Sequence, residues 1–536
     1  MSEKILIVLH LLVSYIVECF SHLSRYLRSK KPTNYQKKKK KMDQSDKLSN
    51  LPTGVTQKIL SYLPIDQAVR TSILSSEWRS TWSRLPYLVF DDQSGYDIKK
   101  VVNHVLLLHR GGIETFKLSN LDGSADSENI DKWIAYLSRE RIKEFVLEHT
   151  KWDPYNVFSC IFLYKGLTRL ELHNCLLNPP ATFKGFRMLK RLHLKHVDVS
   201  GDVLGRLIAC CPQLERVILC DLKGIADVTI CAPSIQFLKV QGSFEDVVLE
   251  KTFNLVDVSI DWKQGSTICS GKLLRHILQL PRIERLTLQR SFLECAVGSL
   301  TKKLPKSCLS LKFLSISIRL DNSEEILTAM HLMRSAPALE ELDIVFRKGK
   351  VTNDGESTYC LSDDKQNWEF TQLQRVKVIC FSGIKAEVDF IKFLLLTSPG
   401  LQELEISFGQ DMKGVDFSWL DDNQKNSAFT QVRVVKVTRL SGVKAEVDFI
   451  RFLLSNTSQR LERVILQPSS TEVSWELFKL LLAFKRDTLH ADFKFLDPSS
   501  PVTPVQDSDD SSSDHNFDAA SSSDSDFDDD DDDELL

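Results

Sequence analysis

The sequence lacks the short motifs that mark the commonest catalytic and metal sites. It has no Gly-rich phosphate-binding loop, no G-x-S-x-G turn and no H-E-x-x-H helix, and its twelve cysteines include no C-x-x-C pair. These absences argue against a zinc ribbon and a thioredoxin-type redox site. We therefore expect no catalytic residue, no metal and no cofactor, and we expect the scattered cysteines to be reduced and mostly buried.

The central part of the chain also has little net charge of either sign. Residues 1–41 carry a net charge of +8, whereas residues 507–536 hold fourteen Asp/Glu and no Lys or Arg. The overall charge of −3 therefore leaves about +3 for residues 42–506. Because binding of nucleic-acid phosphates needs a concentrated basic face, we expect protein partners and no nucleic acid.

Length and composition predict a folded chain of more than one unit. The 536 residues exceed what a single hydrophobic core usually serves, so several domains or a repeat array are expected. Apolar residues at 42% and charged residues at 26% are ordinary for a globular protein and exclude a polytopic membrane protein.

The N-terminal extension, residues 1–41, places an apolar run at 5–20 before a basic stretch. A helix over this run would be about 24 Å long, which is short of the roughly 30 Å hydrocarbon core, and His10 and Glu18 interrupt it. It is a membrane anchor or interfacial helix, or translation begins at Met42 instead. Membrane association through residues 5–20 is expected only if the extension is real, and otherwise we expect a nuclear and/or cytoplasmic protein.

Residues 46–92 have the pattern of a compact helical module. Leu51-Pro52 suits a helix start, and Val55, Ile59, Leu60 and Leu63 then fall on one face. Further along, Trp78 and Trp82 are spaced i,i+4, so two indole rings share a face and need a large apolar partner. About forty residues cannot bury all of these side chains alone.

This module resembles the F-box of plant F-box/FBD/LRR-repeat proteins. The resemblance covers Leu51-Pro52, Ile59-Leu60, Leu63-Pro64, residues 68–75, Trp78-Arg79-x-x-Trp82 and residues 88–92. It implies a motif that docks onto the Skp-type adaptor, and through it onto a cullin, in an SCF-type ubiquitin ligase. The adaptor-contacting residues that it implies are Leu51, Pro52, Ile59, Leu60, Leu63, Pro64, Val69 and Trp78. Alternatively, Trp78 and Trp82 close the F-box onto the following domain.

Residues 105–360 show a leucine-rich repeat that continues beyond them. The pattern apolar-x-x-apolar-x-apolar begins at fourteen positions, mostly twenty-odd residues apart, and this spacing predicts a solenoid with one short parallel strand per repeat. The fourteen starts are Ile113, Ile142, Leu167, Leu189, Leu214, Ile235, Leu255, Ile283, Leu311, Leu339, Leu373, Leu401, Val432 and Leu461.

Residues 361–495 contain an internal duplication. The segment 376–391 (VKVICFSGIKAEVDFI) matches 435–450 (VKVTRLSGVKAEVDFI) at an offset of 59 residues. Each copy reads as a strand, a Ser-Gly turn and an amphipathic helix, and the pair resembles the FBD region of the same family. Since the family has one such unit, either copy is a candidate for the true FBD.

Side-chain alternation predicts what the repeats expose. Within L-x-x-L-x-L the leucines enter the core, so the intervening residues form the concave surface that solenoids use to hold partners. On the early strands these residues are mainly basic, and we predict that they bind the target protein: Arg169, His173, Arg191, His193, Lys195 and Arg216. The alternative is that they are solvated strand positions without a ligand. His193-x-x-His196 does not predict a metal site, since a strand would send the two imidazoles to opposite faces.

Residues 498–536 are rich in Ser and Asp and cannot bury a core, which predicts a disordered acidic tail. Ser511, Ser521, Ser523 and Ser525 each precede an Asp by three residues, a spacing that acidophilic kinases favour. The tail either binds a basic partner, acts as an activation-type segment, or only keeps the chain soluble.

The sequence thus predicts an α/β solenoid: a small all-α F-box, a leucine-rich-repeat horseshoe, an FBD-like carboxyl-terminal region and a disordered acidic tail. The expected function is a non-catalytic substrate-recognition subunit of an SCF-type ubiquitin ligase, with an unknown target. The alternative is a non-ligase interaction scaffold with an acidic regulatory tail.

Overall fold

The structure is a computed structural model that describes residues 51–498 with internal gaps. The gaps fall at 62, 64, 72–77, 92–96, 122–126, 151–152, 263–269, 297–307, 349–368, 410–430, 457–459 and 471–490. The predictions for the extension at 1–41, for Pro64 and for the acidic tail lie outside the described residues.

The chain opens with short helices that pack onto the first strand of a sheet. Helix α1 (Thr53–Leu60) follows Pro52, whose carbonyl accepts from the Val55 and Thr56 amides. It is followed by α2 (Ile65–Arg70), α3 (Trp78–Thr81), a 3₁₀ turn (Trp82–Arg84) and strand β1 (Tyr87–Asp91). Apolar residues of these helices and of β1 share one core, so the helical module is not a separate folding unit.

The remaining strands are short and follow the repeat pattern. They are β2 (Thr115–Leu121), β3 (Glu144–His149), β4 (Tyr155–Asn156), β5 (Arg169–His173), β6 (Cys175–Leu176), β7 (Arg191–Lys195), β8 (Arg216–Cys220), β9 (Asp227–Cys231), β10 (Phe237–Gly242), β11 (Asp246–Glu250), β12 (Asp257–Trp262), β13 (Arg285–Arg290), β14 (Phe313–Ile318), β15 (Glu341–Phe346), β16 (Arg375–Phe381), β17 (Glu403–Phe408), β18 (Val434–Leu440), β19 (Arg463–Pro468) and β20 (Asp492–Phe495).

Helices alternate with many of these strands. They are α4 (Ile98–Leu108), α5 (Ser127–Leu137), α6 (Gly201–Ala209), α7 (Ser270–Ile277), α8 (Phe292–Ala296), α9 (Ser323–Arg334), α10 (Lys385–Thr397) and α11 (Lys444–Asn456), with a 3₁₀ turn at Ser159–Leu163. Pro212, Pro337 and Pro399 each follow a helix end by two or three residues, as expected of a residue that stops a helix before the next strand.

Sixteen strands form one parallel sheet in the order β1-β2-β3-β5-β7-β8-β10-β12-β13-β14-β15-β16-β17-β18-β19-β20. The other four pair as β4–β6 and β9–β11. All fourteen predicted repeat starts are buried, and each lies two residues before a strand of the large sheet. The α/β solenoid of leucine-rich repeats is therefore confirmed. The prediction missed β1 and β20, which extend the sheet by one strand at each end.

Aromatic rings link the helical module to the repeats. The Phe90 ring of β1 lies 5.5 Å from Phe116 of β2, and Phe116 lies 6.1 Å from Phe145 of β3. Tyr164 closes this series against Phe145 at 5.9 Å. Because neighbouring strands supply successive rings, burial in one repeat depends on the next repeat being folded.

The two copies of the duplicated segment fold alike. In strands β16 and β18 the second-to-last residue, Cys380 or Arg439, has a positive φ, and a glycine at positive φ follows three residues later. The helices α10 and α11 then begin with the same Lys-Ala-Glu sequence. The predicted strand, turn and helix are present in both copies, and the assignment of either as the true FBD stays a prediction.

Within the described ranges, no helix is long and apolar enough to cross a membrane. The apolar run at 5–20 lies outside these described ranges.

Candidate adaptor and partner surfaces

The helical module divides its apolar side chains between the core and solvent. Pro52 is exposed and Val55 is 41% exposed, whereas Leu51, Leu63 and Val69 are partly buried against the core. Apolar side chains that the described residues leave wholly or partly uncovered are a feature of interaction sites. We call these five residues the F-box strip.

Three of the residues expected at the adaptor contact point inward. Ile59 is 1% exposed, Leu60 0% and Trp78 2%, and all three pack in the core together with Trp82 and Leu88. They offer almost no surface to a partner in this structure, because they are buried in the core that the helices and β1 share. Among the described residues expected at the adaptor contact, those of the F-box strip are the accessible ones. The adaptor contact and the role of Trp78 stay predictions.

The large sheet has one face that helices do not bury. In β5, β7 and β8 the second and fourth residues are buried, while the first and third are only partly covered or exposed. We call the face formed by the first, third and fifth residues of each strand the open face. It corresponds to the surface that the sequence predicted would hold a partner.

All six residues predicted to bind the target lie on adjacent strands of the open face. Arg169, Arg191 and Arg216 pair in register on β5, β7 and β8, so their Cα atoms are about 5 Å from one strand to the next. His173 and Lys195 occupy the fifth positions of their strands, and His193 occupies the third position of β7. We call these six residues, together with Lys239 of β10, the basic patch.

Most cations of the basic patch form no ion pair with a described carboxylate, although Asp257 interacts electrostatically with Arg216. Arg169 contacts Glu171 at 2.8 Å and Glu144 at 3.7 Å. Arg191, Lys195 and Lys239 form no ion pair within the described part of the chain, and the Arg216 guanidinium lies 3.4 Å above the centre of the Phe237 ring. Like charges directly opposite each other destabilise a sheet, so an anion bound beside Arg191 would reduce the repulsion within the row of three arginines.

The two histidines of the basic patch are neutral at pH 7. Their rings meet edge to face with centroids 4.9 Å apart. Burial, reinforced by the neighbouring His173, lowers the pKa of His193 to about 4, and burial also lowers the pKa of His173. The positive charge of the patch therefore resides on its arginines and lysines, while the imidazoles can donate or accept hydrogen bonds.

Elsewhere on the open face, cations and anions alternate. Arg285 lies 3.8 Å from Asp257, and Arg375 lies between Glu341 at 3.1 Å and Glu403 at 2.9 Å. Further along, Lys377 and Lys436 both contact Glu405: the Nζ to carboxylate distances are 3.4 and 3.3 Å. Burial raises the pKa of Asp343 to about 6 despite nearby Lys377. Excess charge of one sign is thus concentrated at β5–β10.

Two residues of these surfaces were not predicted to be binding residues from the sequence. Lys239 belongs to the basic patch because β10 pairs with β8, which brings it beside Ile218. The third position of Lys239 in its repeat strand was enough to predict that it lies on the open face. Val55 was assigned to an apolar face, but nothing in the helix period shows that it points away from the core while Ile59 points into it.

The described residues include no group of three or more His, Cys, Asp or Glu that could hold a metal ion. His196 lies just after β7 with a positive φ of 52° and so does not share the open-face row of His193. Of the cysteines expected to be buried, Cys175, Cys220 and Cys308 are buried and free, whereas Cys231 is partly exposed.

Comparisons with known proteins agree with this architecture. The F-box domain family matches residues 48–90, and the family described as "FBD-associated F-box protein At5g56370, LRR repeats" matches residues 130–344. F-box/FBD/LRR-repeat protein At1g13570 of Arabidopsis thaliana is 33% identical over 384 residues, which cover 68% of this chain and 91% of that protein. Putative FBD-associated F-box protein At1g61330, also of Arabidopsis thaliana, is 23% identical over 459 residues, covering 74% of this chain and 97% of that protein.

A helical F-box joined to a parallel sheet of leucine-rich repeats defines the class as F-box proteins with a leucine-rich-repeat domain. Within that class, the chain belongs to the F-box/FBD/LRR-repeat family.

Proposed function

We propose that this chain is the substrate-recognition subunit of an SCF-type ubiquitin ligase. The F-box strip binds the Skp-type adaptor, and through it a cullin, while the open face of the repeats holds the target protein. The observation that carries the proposal is the partly exposed apolar strip on a segment that the F-box family matches. Removing the exposed part of that strip from water on binding is a source of affinity.

The mechanism in this proposal is positioning. The F-box shares a core with the first strand of the repeats, so the adaptor and target would be held at a fixed separation by one continuous solenoid. Holding two reactants on one scaffold raises their effective concentration, and no catalytic side chain of this chain is needed for ubiquitin transfer. The uncompensated basic patch supports a target that presents acidic residues.

The test is capture of a purified Skp-type adaptor by the full-length chain. Val55→Asp should reduce capture at least tenfold, because an interface would bury the new carboxylate without a partner. Leu107→Asp is the matched control, since Leu107 is also an exposed apolar helical residue, at 80% exposure, outside the F-box. Absence of capture by the unmodified chain would refute the proposal and favour a non-ligase scaffold.

A further inference from the structure

Four cations of the basic patch are available to an anionic occupant. Arg191, Lys195, Arg216 and Lys239 lie on three consecutive strands of the open face, and no carboxylate within the described residues forms an ion pair with them. With strands about 4.8 Å apart and residues about 3.3 Å apart along each strand, the patch measures roughly 15 by 13 Å including Arg169. That area matches about four residues of an extended acidic segment.

The same chain supplies such a segment. Residues 524–534 read DSDFDDDDDDE, with nine acidic residues in eleven and no basic residue. Any four consecutive positions from 528 to 534 present four carboxylates, enough to face the four cations that lack an ion pair. Charge complementarity across a surface steers association and selects the partner, and several close pairs together bind more firmly than one exposed pair.

The segment also lies within reach of the patch. The last described residue is 498, so 25 residues separate it from the acidic run, and these span up to about 90 Å when extended. Strand β20 is ten positions from β8 in the sheet, a separation of at most about 48 Å. A tether of this length gives an effective concentration of about 1 mM, so even a contact with a Kd of about 0.1 mM would be mostly occupied.

We propose that residues 524–534 dock in cis on the basic patch and compete there with acidic segments of other proteins. The docking itself requires only this chain. The consequence of this docking is that the tail must leave the basic patch before a target protein binds there, and this consequence rests on the proposed function.

The first experiment is zero-length carbodiimide cross-linking of the full-length chain, with mass spectrometry of the monomer band. Such cross-linking joins a Lys amine to a carboxyl group in contact with it. The proposal predicts that residues 524–534 couple to Lys195 and Lys239, and that 0.5 M NaCl suppresses the products. Coupling mainly to Lys494, the open-face lysine nearest the tail in sequence, would show proximity alone and would overturn the proposal. Coupling found only in dimers would also overturn it.

The second experiment measures binding of a labelled synthetic peptide of residues 507–536 by fluorescence anisotropy. A full-length variant with the aspartates of 528–533 changed to Asn, and with Glu534→Gln, should bind the peptide at least tenfold more tightly than the unmodified chain, because its patch is vacant. Adding Arg191→Glu and Lys195→Glu should abolish that gain. Adding Lys272→Glu and Lys312→Glu, which make the same charge change at exposed positions outside the patch, should preserve it within twofold.

Equal peptide binding by the unmodified and tail-neutralised chains would refute docking in cis. Circular dichroism of each variant distinguishes lost docking from lost folding. Because neither experiment contains the adaptor, their failure leaves adaptor capture unaffected, and failure of adaptor capture leaves the docking test intact.

Discussion

Two buried glutamates of the duplicated segment provide the sharpest stability test. The Glu387 carboxylate accepts from the backbone amides of Ser382 and Gly383, with O to N distances of 2.7 and 2.9 Å, and contacts the Ser382 hydroxyl at 2.9 Å. Glu446 makes the same contacts with Ser441 and Gly442 in the second copy. Each glutamate thus ties its helix to the preceding turn in the manner of a capping box.

Burial raises the pKa of Glu387 to about 7, because desolvation outweighs the hydrogen bonds from Ser382 and Gly383. A folded-state pKa above the ordinary 4.5 means that folding favours the protonated acid. The contribution of Glu387 to folding stability is fully present below about pH 4.5 and is lost as the pH rises through about 7. The pKa shift of Glu387 corresponds to a loss of about 3 kcal/mol of stability between low and high pH.

Glu387→Gln should remove this pH dependence. A glutamine oxygen can accept from both amides while its NH₂ group donates to the Ser382 hydroxyl. Glutamine thus reproduces the hydrogen bonds of the protonated acid and stays neutral at every pH. The variant should match the unmodified chain at pH 5 within about 1 kcal/mol and exceed its local stability at pH 8 by up to about 3 kcal/mol. Glu387→Ala should cost about 3 kcal/mol at pH 5, because two buried amides lose their acceptor.

Hydrogen exchange of the segment around Ser382 and Gly383, followed by mass spectrometry from pH 5 to 8, measures this local stability. Local exchange is preferable to a melting curve because a long repeat array does not unfold in two states. Glu446→Gln should behave in the same direction, and Glu324→Gln, at an exposed position in the first turn of α9, should change nothing. An identical pH profile for Glu387→Gln and the unmodified chain, or full protection in Glu387→Ala, would refute the reasoning.

Two further predictions concern the F-box core and the basic patch. Leu60→Asp places a carboxylate at a site with 0% exposure and should lower the free energy of local unfolding by about 3–5 kcal/mol, seen as faster hydrogen exchange across residues 51–85. Val55→Asp should change the same free energy by no more than about 0.5 kcal/mol. The lowered pKa of His193 means that folding favours the neutral ring, so its contribution to stability should be present above about pH 6.5 and lost as the pH falls toward 4. His193→Asn should reduce this loss, as measured by hydrogen exchange of β7. An unchanged dependence of exchange on pH would contradict the assignment of the loss to His193.

Much of the repeat architecture could be predicted because L-x-x-L-x-L indicates both where each strand lies and which of its side chains point into the core. The starts from Ile113 to Leu461 all precede strands, and the alternation placed Arg169, Arg191 and Arg216 on one face. Strand β1 was missed although Leu85, Leu88 and Phe90 follow the same pattern, because the segment was assigned to the F-box.

Other features depend on contacts that local sequence does not encode. The helix period shows that Ile59, Leu60 and Leu63 share an apolar face, but whether that face meets the chain's own sheet or a partner depends on how α1 packs against α3 and β1. The shared function of Glu387 and Glu446 was equally hidden, since a Glu in the first turn of a helix is usually exposed. Only their burial beside a Ser-Gly turn distinguishes them from Glu324.

The central claim, that the F-box strip binds an adaptor, is tested most directly by calorimetric titration of a purified Skp-type adaptor into the full-length chain at several temperatures. We expect saturable one-to-one binding with a negative heat-capacity change from apolar burial. This binding should be lost in Val55→Asp, and its affinity should be retained within twofold in Leu107→Asp. No binding by the unmodified chain, or equal binding by both variants, would contradict it.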